Sequence, residues 1–262
     1  MHKLSRKVRF SINPFLTDVS IGENSFCAKP AGEGLAIFLE LIISLAGAAD
    51  SDTGFVVNVV DIDACARETV VPIISDQIKQ RYRLGQHIDF KQLVYFLELA
   101  QGQLRGKFGR TVTADIALML NPNRRIAIDC EEKKMAYYSE KFEFAAMHKL
   151  WNDKFSDEKN LEVFGKCANK AGHGHNYIIE VTVKTPRNGD FGYGEFEKIV
   201  DDNLISLIDH KNLNTDIAGF NENPTVENIA VFAWGKLAGK VAGLFSVTVW
   251  ETDKTSCTYY GP

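Results

Sequence analysis

The sequence predicts an α+β chain built from two tandem ββαα units, each closed by a second strand pair. The first observation is a repeated motif. Cys27-Ala-Lys-Pro-Ala-Gly-Glu33-Gly and Cys167-Ala-Asn-Lys-Ala-Gly-His173-Gly share cysteine, alanine and glycine at the same positions without a gap. The second observation is that other matching segments occur in the same order in both halves. Motifs repeated in order are typical of a duplicated domain.

Each half contains the same succession of predicted elements. Alternating or continuous apolar residues, such as Phe10 and Ile12, indicate strands. Apolar residues at helical spacing indicate helices whose stripes pack into a core. The polar residues 133–141 join the halves, so the predicted domains are residues 1–133 and 142–262. The corresponding segments, first half before second, are Phe10 to Leu16 and Phe144 to Leu150, Asp61 to Ile74 and Glu195 to Ile208, Asp89 to Leu104 and Thr225 to Leu237, and Ile116 to Asn121 and Ser246 to Glu251.

The composition argues against several classes of function. A chain of 262 residues that is 45% hydrophobic can bury one large core or two small ones. A net charge of −4 gives no basis for binding nucleic acid or an anionic membrane. The longest apolar run, Leu35 to Gly47, contains Glu40 and is too short to span a bilayer. The odd number of cysteines, without disulfide spacing, predicts a protein of the reducing cytoplasm.

Three histidines form the candidate metal site. His173 and His175 lie two residues apart, before the alternating run Tyr177-Ile-Ile-Glu-Val-Thr-Val183, so both side chains are predicted to point from one face of a strand. With the distant His148 they can occupy three corners of a tetrahedral zinc site and leave the fourth to water or substrate. A His-x-His pair alone is more often an ordinary surface or core pair.

Neighbouring residues favour the metal site over the ordinary interpretation. Gly172 and Gly174 flank the first histidine of the pair, and Cys167 lies shortly before it. A second acid–base cluster, Asp209-His210, follows about one helix later. Two such clusters in one short domain predict an active site.

The first half lacks the residues that this chemistry requires. At the positions of the three histidines it has Pro14, Glu33 and Leu35, and proline and leucine side chains cannot ligate zinc. Its cysteine, Cys27, is most simply a small buried hydrophobe. We therefore expect residues 1–133 to be a degenerate, metal-free scaffold and residues 142–262 to be the catalytic unit.

Five motifs of the second half occur in the order of a known family. From these motifs, which cover roughly residues 142–262, the second half resembles 6-pyruvoyltetrahydropterin synthase and its relative 6-carboxytetrahydropterin synthase, members of the tunnelling-fold group. The motifs are Phe-x-Ala-x-His148-Lys-Leu, Gly-Lys-Cys167-x5-His173-Gly-His175-Asn-Tyr, Leu-Ile-Asp209-His210-Lys-Asn-Leu, Asn-Pro-Thr225-Val-Glu227-Asn and Trp-Glu251-Thr.

The resemblance implies a fold, a metal and a catalytic apparatus. Antiparallel sheets of several units would join into an oligomeric barrel with the helices outside. His148, His173 and His175 would hold zinc. Cys167 would be the catalytic base, with Asp209 and His210 as a proton relay.

Further residues would contact the substrate, 7,8-dihydroneopterin triphosphate. Glu251 would accept two hydrogen bonds from the pterin ring. Thr225 and Glu227 belong to a second substrate-binding motif. Lys149 stands where the family usually has arginine, so it would contact phosphate as a point charge. Asn214 replaces a more usual aspartate.

Some alternatives stay open at this stage. Cys167 could instead be a fourth zinc ligand, but a closed site would leave Asp209 and His210 without a task. The five residues between Cys167 and His173 resemble the pyruvoyl-forming synthases, because the carboxy-forming enzymes of 7-deazapurine (queuosine) synthesis have a shorter spacing. Pyruvoyl formation is thus the first hypothesis and carboxy formation the second. A non-catalytic pterin-binding scaffold is the third.

The resemblance also implies an assembly. The family forms two stacked rings of three units, and this chain carries two units, so we expect a homotrimer with six units. A ring of second halves stacked on a ring of first halves would hold three zinc sites. Cys167 of one chain would then meet Asp209 and His210 of the next.

Overall fold

The computed structural model describes residues 1–15, 35–218, 220 and 223–262. Cys27 and Glu33, to which the sequence assigned a scaffold role, lie outside the described residues. Within the described ranges, no helix is both long enough and apolar enough to cross a membrane.

The chain divides into two compact units. The first consists of Met1–Tyr138 and Thr185–Phe191, and the second of Ser139–Lys184 and Gly192–Pro262. The predicted connection at residues 133–141 is mostly β-strand, because strand β5 starts at Met135. The division by repeat into residues 1–133 and 142–262 stays a prediction.

The first unit combines an antiparallel sheet with helices. The strand order is β1-β2-β3-β4, and α3 packs against β3 and β4. Its described elements are β1 (His2–Ile12), β2 (Ile37–Gly47), α1 (Val59–Cys65), a π-helical turn (Ala66–Val70), α2 (Val71–Arg83), α3 (Phe90–Leu104), β3 (Val112–Asn121) and β4 (Arg124–Asp129).

Local sequence explains where these helices begin and what they cover. The Asn58 side chain accepts a hydrogen bond from the Val60 amide and caps α1. Asp89 and Gln92 form a reciprocal capping box at the start of α3. The core below the helices is built from alternating strand residues, which include Val8, Leu41, Ile43, Ile116 and Ile126, all fully buried.

The second unit has a similar succession of elements. Its strand order is β5-β6-β8-β9, and the short β7 pairs in parallel with β5. The described elements are β5 (Met135–His148), α4 (Asp157–Phe164), a 3-10 turn (Gly165–Ala168), β6 (His173–Pro186), α5 (Tyr193–Val200), a π-helical turn (Asp201–Ile205), α6 (Ser206–Ile208), β7 (Lys211–Asn212), α7 (Val226–Leu237), β8 (Leu244–Thr252) and β9 (Thr255–Tyr259).

Strand pairing in this unit brings distant residues to one end of the sheet. Ile178 of β6 lies opposite Trp250 of β8, so Glu251 is placed beside the first residues of β6. Behind this end, the rings of Phe144 and Tyr177 stack with centroids 4.9 Å apart and an interplanar angle of 9°. The sheet therefore carries His148, His173, His175 and Glu251 on neighbouring strands.

The α+β class with antiparallel sheets is confirmed. Each predicted helix is present, and the predicted closing strands belong to β3 and β8. Helix α4 has no counterpart among the sequence predictions. Ser156 caps this helix by accepting a hydrogen bond from the Lys159 amide. This helix-start signal is local, and a comparison of the two halves does not detect it.

One arginine fastens the chain turn between β4 and β5 inside the first unit. The Arg187 guanidinium donates to the carbonyls of Met135, Asp129 and Glu132 at 3.1, 2.8 and 2.6 Å. It also pairs with Glu98 at 3.1 Å. The Arg187 side chain is only 10% exposed, so these bonds are largely shielded from water.

We predict that Arg187→Ala lowers the free energy of unfolding by about 2–4 kcal/mol, because it leaves three partly buried carbonyls without their charged donor. Urea denaturation measures this change. The exposed Arg110, replaced by alanine, is the matched control, and its effect should stay within about 0.5 kcal/mol. Equal effects of the two substitutions would mean that the Arg187 hydrogen bonds do not stabilise the turn between β4 and β5.

Candidate metal and active site

Three histidine side chains converge where β5 ends and β6 begins. His148 is the last residue of β5, and His173 and His175 open the neighbouring strand β6. One ring nitrogen from each lies within 4.8 Å of the others. Gly172 permits the close approach: its φ is +73°, and a Cβ there would come within 3.0 Å of the His148 carbonyl oxygen.

The orientation of His148 is fixed from behind. Its Nδ1 lies 2.7 Å from the carbonyl oxygen of Pro224, and a carbonyl can only accept. Nδ1 therefore carries the proton, and Nε2 presents its lone pair to the other histidines. The ring is buried, and this burial lowers the pKa of His148 below its ordinary value. His148 is thus held in the neutral form that binds metals.

The donor set fits a zinc-like cation. The Nε2 atoms of His148 and His173 are 3.1 Å apart, close to the ~3.3 Å between two ligands of a tetrahedral zinc ion. Among the described atoms, His173 Nδ1 and His175 Nε2 are buried without a hydrogen-bond partner. Burial also lowers the pKa of His175. Three histidines that bring ring nitrogens together, one of which has no hydrogen-bond partner, are what a metal site would use.

Glu251 brings a carboxylate to the same place. Its Oε1 lies 3.5 Å from Nε2 of His148 and 3.6 Å from Nε2 of His175. Its negative charge contributes, after burial, to raising the pKa values of Tyr177 and Cys167. The carboxylate therefore lies beside two of the histidines and affects the pKa values of the tyrosine and the thiol.

Cys167 sits in the 3-10 turn that follows α4, with its carbonyl oxygen 2.9 Å from the Leu150 amide nitrogen. Burial, and then the charge of Glu251, raise the pKa of this thiol. The protein groups around Cys167 therefore favour the neutral thiol. A cation held by the histidines is what would shift the balance toward thiolate.

Asp209 and His210 form a hydrogen-bonded pair beside β5. Asp209 Oδ2 accepts from His210 Nδ1 at 2.8 Å, while Asp209 Oδ1 accepts from the Ala145 amide at 2.9 Å. These bonds lower the pKa of Asp209. His210 has a φ of +56°, a conformation that costs about 1–2 kcal/mol in a residue other than glycine. Its amide donates to the Ala145 carbonyl, and this bond holds the strained residue in place.

A cleft of about 480 Å³ joins two of these groups. His175 of the metal cluster and His210 of the acid–base pair both line it. The volume lies in the range of small-molecule sites. One chain therefore presents His175 of the histidine cluster and the hydrogen-bonded His210 to the same space.

Comparison with known proteins decides the family. The family model described as 6-pyruvoyl tetrahydropterin synthase matches residues 137–262. A 6-pyruvoyl tetrahydrobiopterin synthase of Drosophila melanogaster is 37% identical over 139 residues, which are 50% of this chain and 83% of that protein. The Homo sapiens protein of the same name is 38% identical over 133 residues, 48% of this chain and 92% of its own.

The chain belongs to the 6-pyruvoyl tetrahydropterin synthase family. This confirms the resemblance inferred from the five motifs. It also confirms the enzyme class, because the relatives are named synthases, which are lyase-type enzymes. The solved structure of the Caenorhabditis elegans 6-pyruvoyl tetrahydropterin synthase matches with 32% identity and a TM-score of 0.46, over 49% of this chain and 96% of that one.

The family motifs also contain the predicted substrate contacts. The hydroxyl of Thr225 accepts from the Asn228 amide and caps α7, and Glu227 is exposed in the first turn of that helix. The ammonium group of Lys149 lies 5.2 Å from the centre of the Trp151 ring. The roles of Thr225, Glu227 and Lys149 in binding substrate stay predictions.

Sequence reasoning missed the residues that support the site. Pro224 acts through its backbone carbonyl, and no side-chain pattern reveals that. The alternating run predicts Tyr177 only as part of a strand, yet its buried hydroxyl is 3.4 Å from His148 Nδ1. The motif comparison predicts no structural role for Asn214. Its side chain pairs with both backbone groups of Lys149, accepting at 2.7 Å and donating at 2.8 Å.

We predict that Asn214→Asp lowers the free energy of unfolding by about 1 kcal/mol, because a carboxylate cannot donate to the Lys149 carbonyl. Urea denaturation gives the value, and hydrogen exchange at Leu213 reports local loosening. Asn169→Asp is the control, since Asn169 only accepts, from the Ala171 amide at 3.1 Å, and aspartate can do the same. If Asn169→Asp is as destabilising as Asn214→Asp, the lost donor is not the cause.

Proposed function

We propose that this protein is a zinc-dependent 6-pyruvoyltetrahydropterin synthase-like lyase. It converts 7,8-dihydroneopterin triphosphate to 6-pyruvoyltetrahydropterin with loss of triphosphate. The observation that carries the proposal is the convergence of His148, His173 and His175, with His148 held neutral by the Pro224 carbonyl. Bound there, zinc would supply a Lewis acid that polarises the oxygen-bearing carbon of the substrate side chain.

Cys167 is the proposed base. Loss of triphosphate requires removal of a proton from a carbon next to an oxygen-bearing carbon. A thiol near its ordinary pKa is mostly protonated at neutral pH and is a weak base until it is activated. Glu251 and burial work against activation, so thiolate formation depends on the cation and on a group that takes the thiol proton.

Asp209 and His210 are the proposed proton relay. Asp209 holds the His210 ring through Nδ1, which leaves Nε2 as the nitrogen that exchanges protons. The hydrogen bonds from the Ala145 amide and from His210 lower the pKa of Asp209 and keep its carboxylate ionised, so it can keep accepting from His210 Nδ1. His210 lines a cleft of its own chain, and in the proposed ring this pair would face Cys167 of a neighbouring chain.

The remaining contacts follow from the chemistry of the substrate. The Glu251 carboxylate suits the amino and ring N–H groups of a pterin, which it can bind with two hydrogen bonds. Lys149 supplies positive charge for the triphosphate. Thr225 and Glu227 complete the substrate-binding set.

The two halves are proposed to be a tandem duplication. In support, both units show a strand pair, a helix interrupted by a π-helical turn, a second helix and a closing strand pair, in that order. Pro14 and Leu35 stand at the positions of His148 and His175 and offer no side-chain ligand. The first half is therefore proposed to be a metal-free scaffold.

The assembly is proposed to be a homotrimer in the cytoplasm. Half-sheets have open edges, and closing six units into stacked three-unit rings removes them. A ring of second halves would hold three zinc sites. The four cysteines in the described part of the chain are free thiols, which suits a reducing compartment.

Incubation with 7,8-dihydroneopterin triphosphate, followed by mass analysis of the products, tests the activity. We expect triphosphate and 6-pyruvoyltetrahydropterin from the wild-type protein. His173→Ala should lose both zinc and turnover. Cys167→Ala should keep zinc but lose at least about 100-fold in turnover, as expected for removal of a general base. Cys257→Ala, which alters a half-buried thiol on β9, is the matched control and should be active.

Other products would point to other functions. Release of acetaldehyde would indicate the carboxy-forming reaction. Absence of turnover in a zinc-loaded, folded wild-type protein would support a pterin-binding scaffold. Loss of activity in Cys257→Ala equal to that in Cys167→Ala would remove the assignment of the base.

Mixed inactive chains test the ring arrangement. If Cys167 of one chain meets His210 of the next, Cys167→Ala chains mixed with His210→Ala chains should regain activity, because some interfaces pair an intact thiol with an intact histidine. Turnover after confirmed subunit exchange is the measurement. Failure to complement would mean that each site is built within one chain.

A further inference from the structure

The connection between β6 and α5 belongs to the first unit, although its sequence lies in the second half of the chain. Thr185–Phe191 are part of the first unit, whereas the strand before them and the helix after them belong to the second. Strand β5 is divided in the same way, because residues 135–138 belong to the first unit and the strand continues from Ser139 in the second. The first unit therefore contains the start of β5 and the end of β6.

Arg187 holds this connection in the first unit through polar contacts. Its backbone amide donates to the carbonyl of Lys134 at 2.9 Å, and its Nε donates to the carbonyl of Met135 at 3.1 Å. Its Nη1 donates to Glu98 of α3 at 3.1 Å. One largely buried guanidinium thus ties the end of β6 both to the start of β5 and to a helix of the first unit.

Phe191 adds apolar contacts at the other end of the connection. Its ring centroid lies 5.4 Å from that of Phe90, the first residue of α3, and 4.8 Å from that of Tyr138 in β5. Phe90 and Tyr138 are both fully buried. Asp190, beside Phe191, pairs with Lys91 at 2.7 Å, but this ion pair is exposed and stabilises little. Phe191 therefore provides the larger share of the stabilisation at this end.

The corresponding connection of the first half, between β2 and α1, is exposed instead. Both connections join the second strand of a half to its first helix. Every residue from 48 to 55 is exposed, and Phe55 keeps 55% of its surface accessible. Asp50 folds this connection onto itself, since its Oδ1 accepts from the amides of Asp52 and Thr53. The order of elements alone therefore does not explain why residues 185–191 pack into a unit.

We propose that residues 185–191 form a strap that makes the two units unfold as one, so that the first half stabilises the half that carries the proposed chemistry. Unfolding of the first unit would release the start of β5 and the end of β6. Unfolding of β6 would in turn remove Phe191 and expose Phe90 and Tyr138. Because each event destabilises the other unit, the halves lose their structure together.

Two probes follow the units separately in the full-length protein. All three tryptophans, Trp151, Trp234 and Trp250, belong to the second unit, so urea-induced changes in their fluorescence follow that unit. Cys130 belongs to the first unit, and burial together with nearby carboxylates raises the pKa of its thiol to about 11. Its labelling by a thiol reagent, located by peptide mass analysis, therefore reports opening of the first unit. In the wild-type protein both probes should change at the same urea concentration, and separate midpoints would overturn the proposal.

Phe191→Ala should separate the two transitions. At urea concentrations where tryptophan fluorescence is still native, Cys130 should be labelled about 10-fold faster than in the wild-type protein, because the first unit opens without the second. Phe55→Ala removes the same ring from the exposed connection and is the matched control. It should keep coincident transitions and a labelling rate within about twofold of the wild-type rate.

A milder variant covers the case in which Phe191→Ala does not fold. Phe191→Leu keeps an apolar side chain and loses the ring, so it should separate the transitions in the same direction by a smaller amount. Coincident transitions in a folded Phe191 variant would overturn the proposal. Equal acceleration of Cys130 labelling in Phe55→Ala would overturn it as well.

Discussion

Long-range hydrogen bonds to residues 148–151, at the end of β5 and just after it, position the candidate site. The last residue of β5 and the three residues after it are each held by a residue distant in the sequence. The holding residues come from three segments: the turn after β7, the 3-10 turn that contains Cys167, and the segment before α7. The bonds link His148 to Pro224, Lys149 to Asn214, Leu150 to Cys167 and Trp151 to Asn223. Moving this segment would displace His148, the turn that contains Cys167 and the turn after β7 together.

Charge balance is the second constraint. Burial lowers the pKa values of His148 and His175, which favours the neutral imidazoles that can bind a metal. Glu251 places a carboxylate beside these histidines. Burial, and then the charge of this carboxylate, raise the pKa of the Cys167 thiol, so the ionisation of the thiol depends on what neutralises Glu251.

The first unit is stabilised by apolar burial, helix capping and one buried arginine. Its strands bury a core that includes Leu41 and Ile43, and its helices carry ordinary caps. Pro14 is buried and Leu35 is exposed. Arg187, which belongs to this unit, closes the turn between β4 and β5 with its charge-assisted bonds.

The sequence by itself determined the helices, the main strands, the three histidines and the family, because periodicity, start signals and motif spacing are local properties. Only the tertiary structure decided how the site is held. The site depends on groups that meet only after folding: the Pro224 carbonyl at His148, the Asn214 side chain at both backbone groups of Lys149, and the Glu251 carboxylate beside the histidines. Every residue, proline included, presents the same backbone carbonyl, so no pattern of side chains could show which carbonyl would face His148.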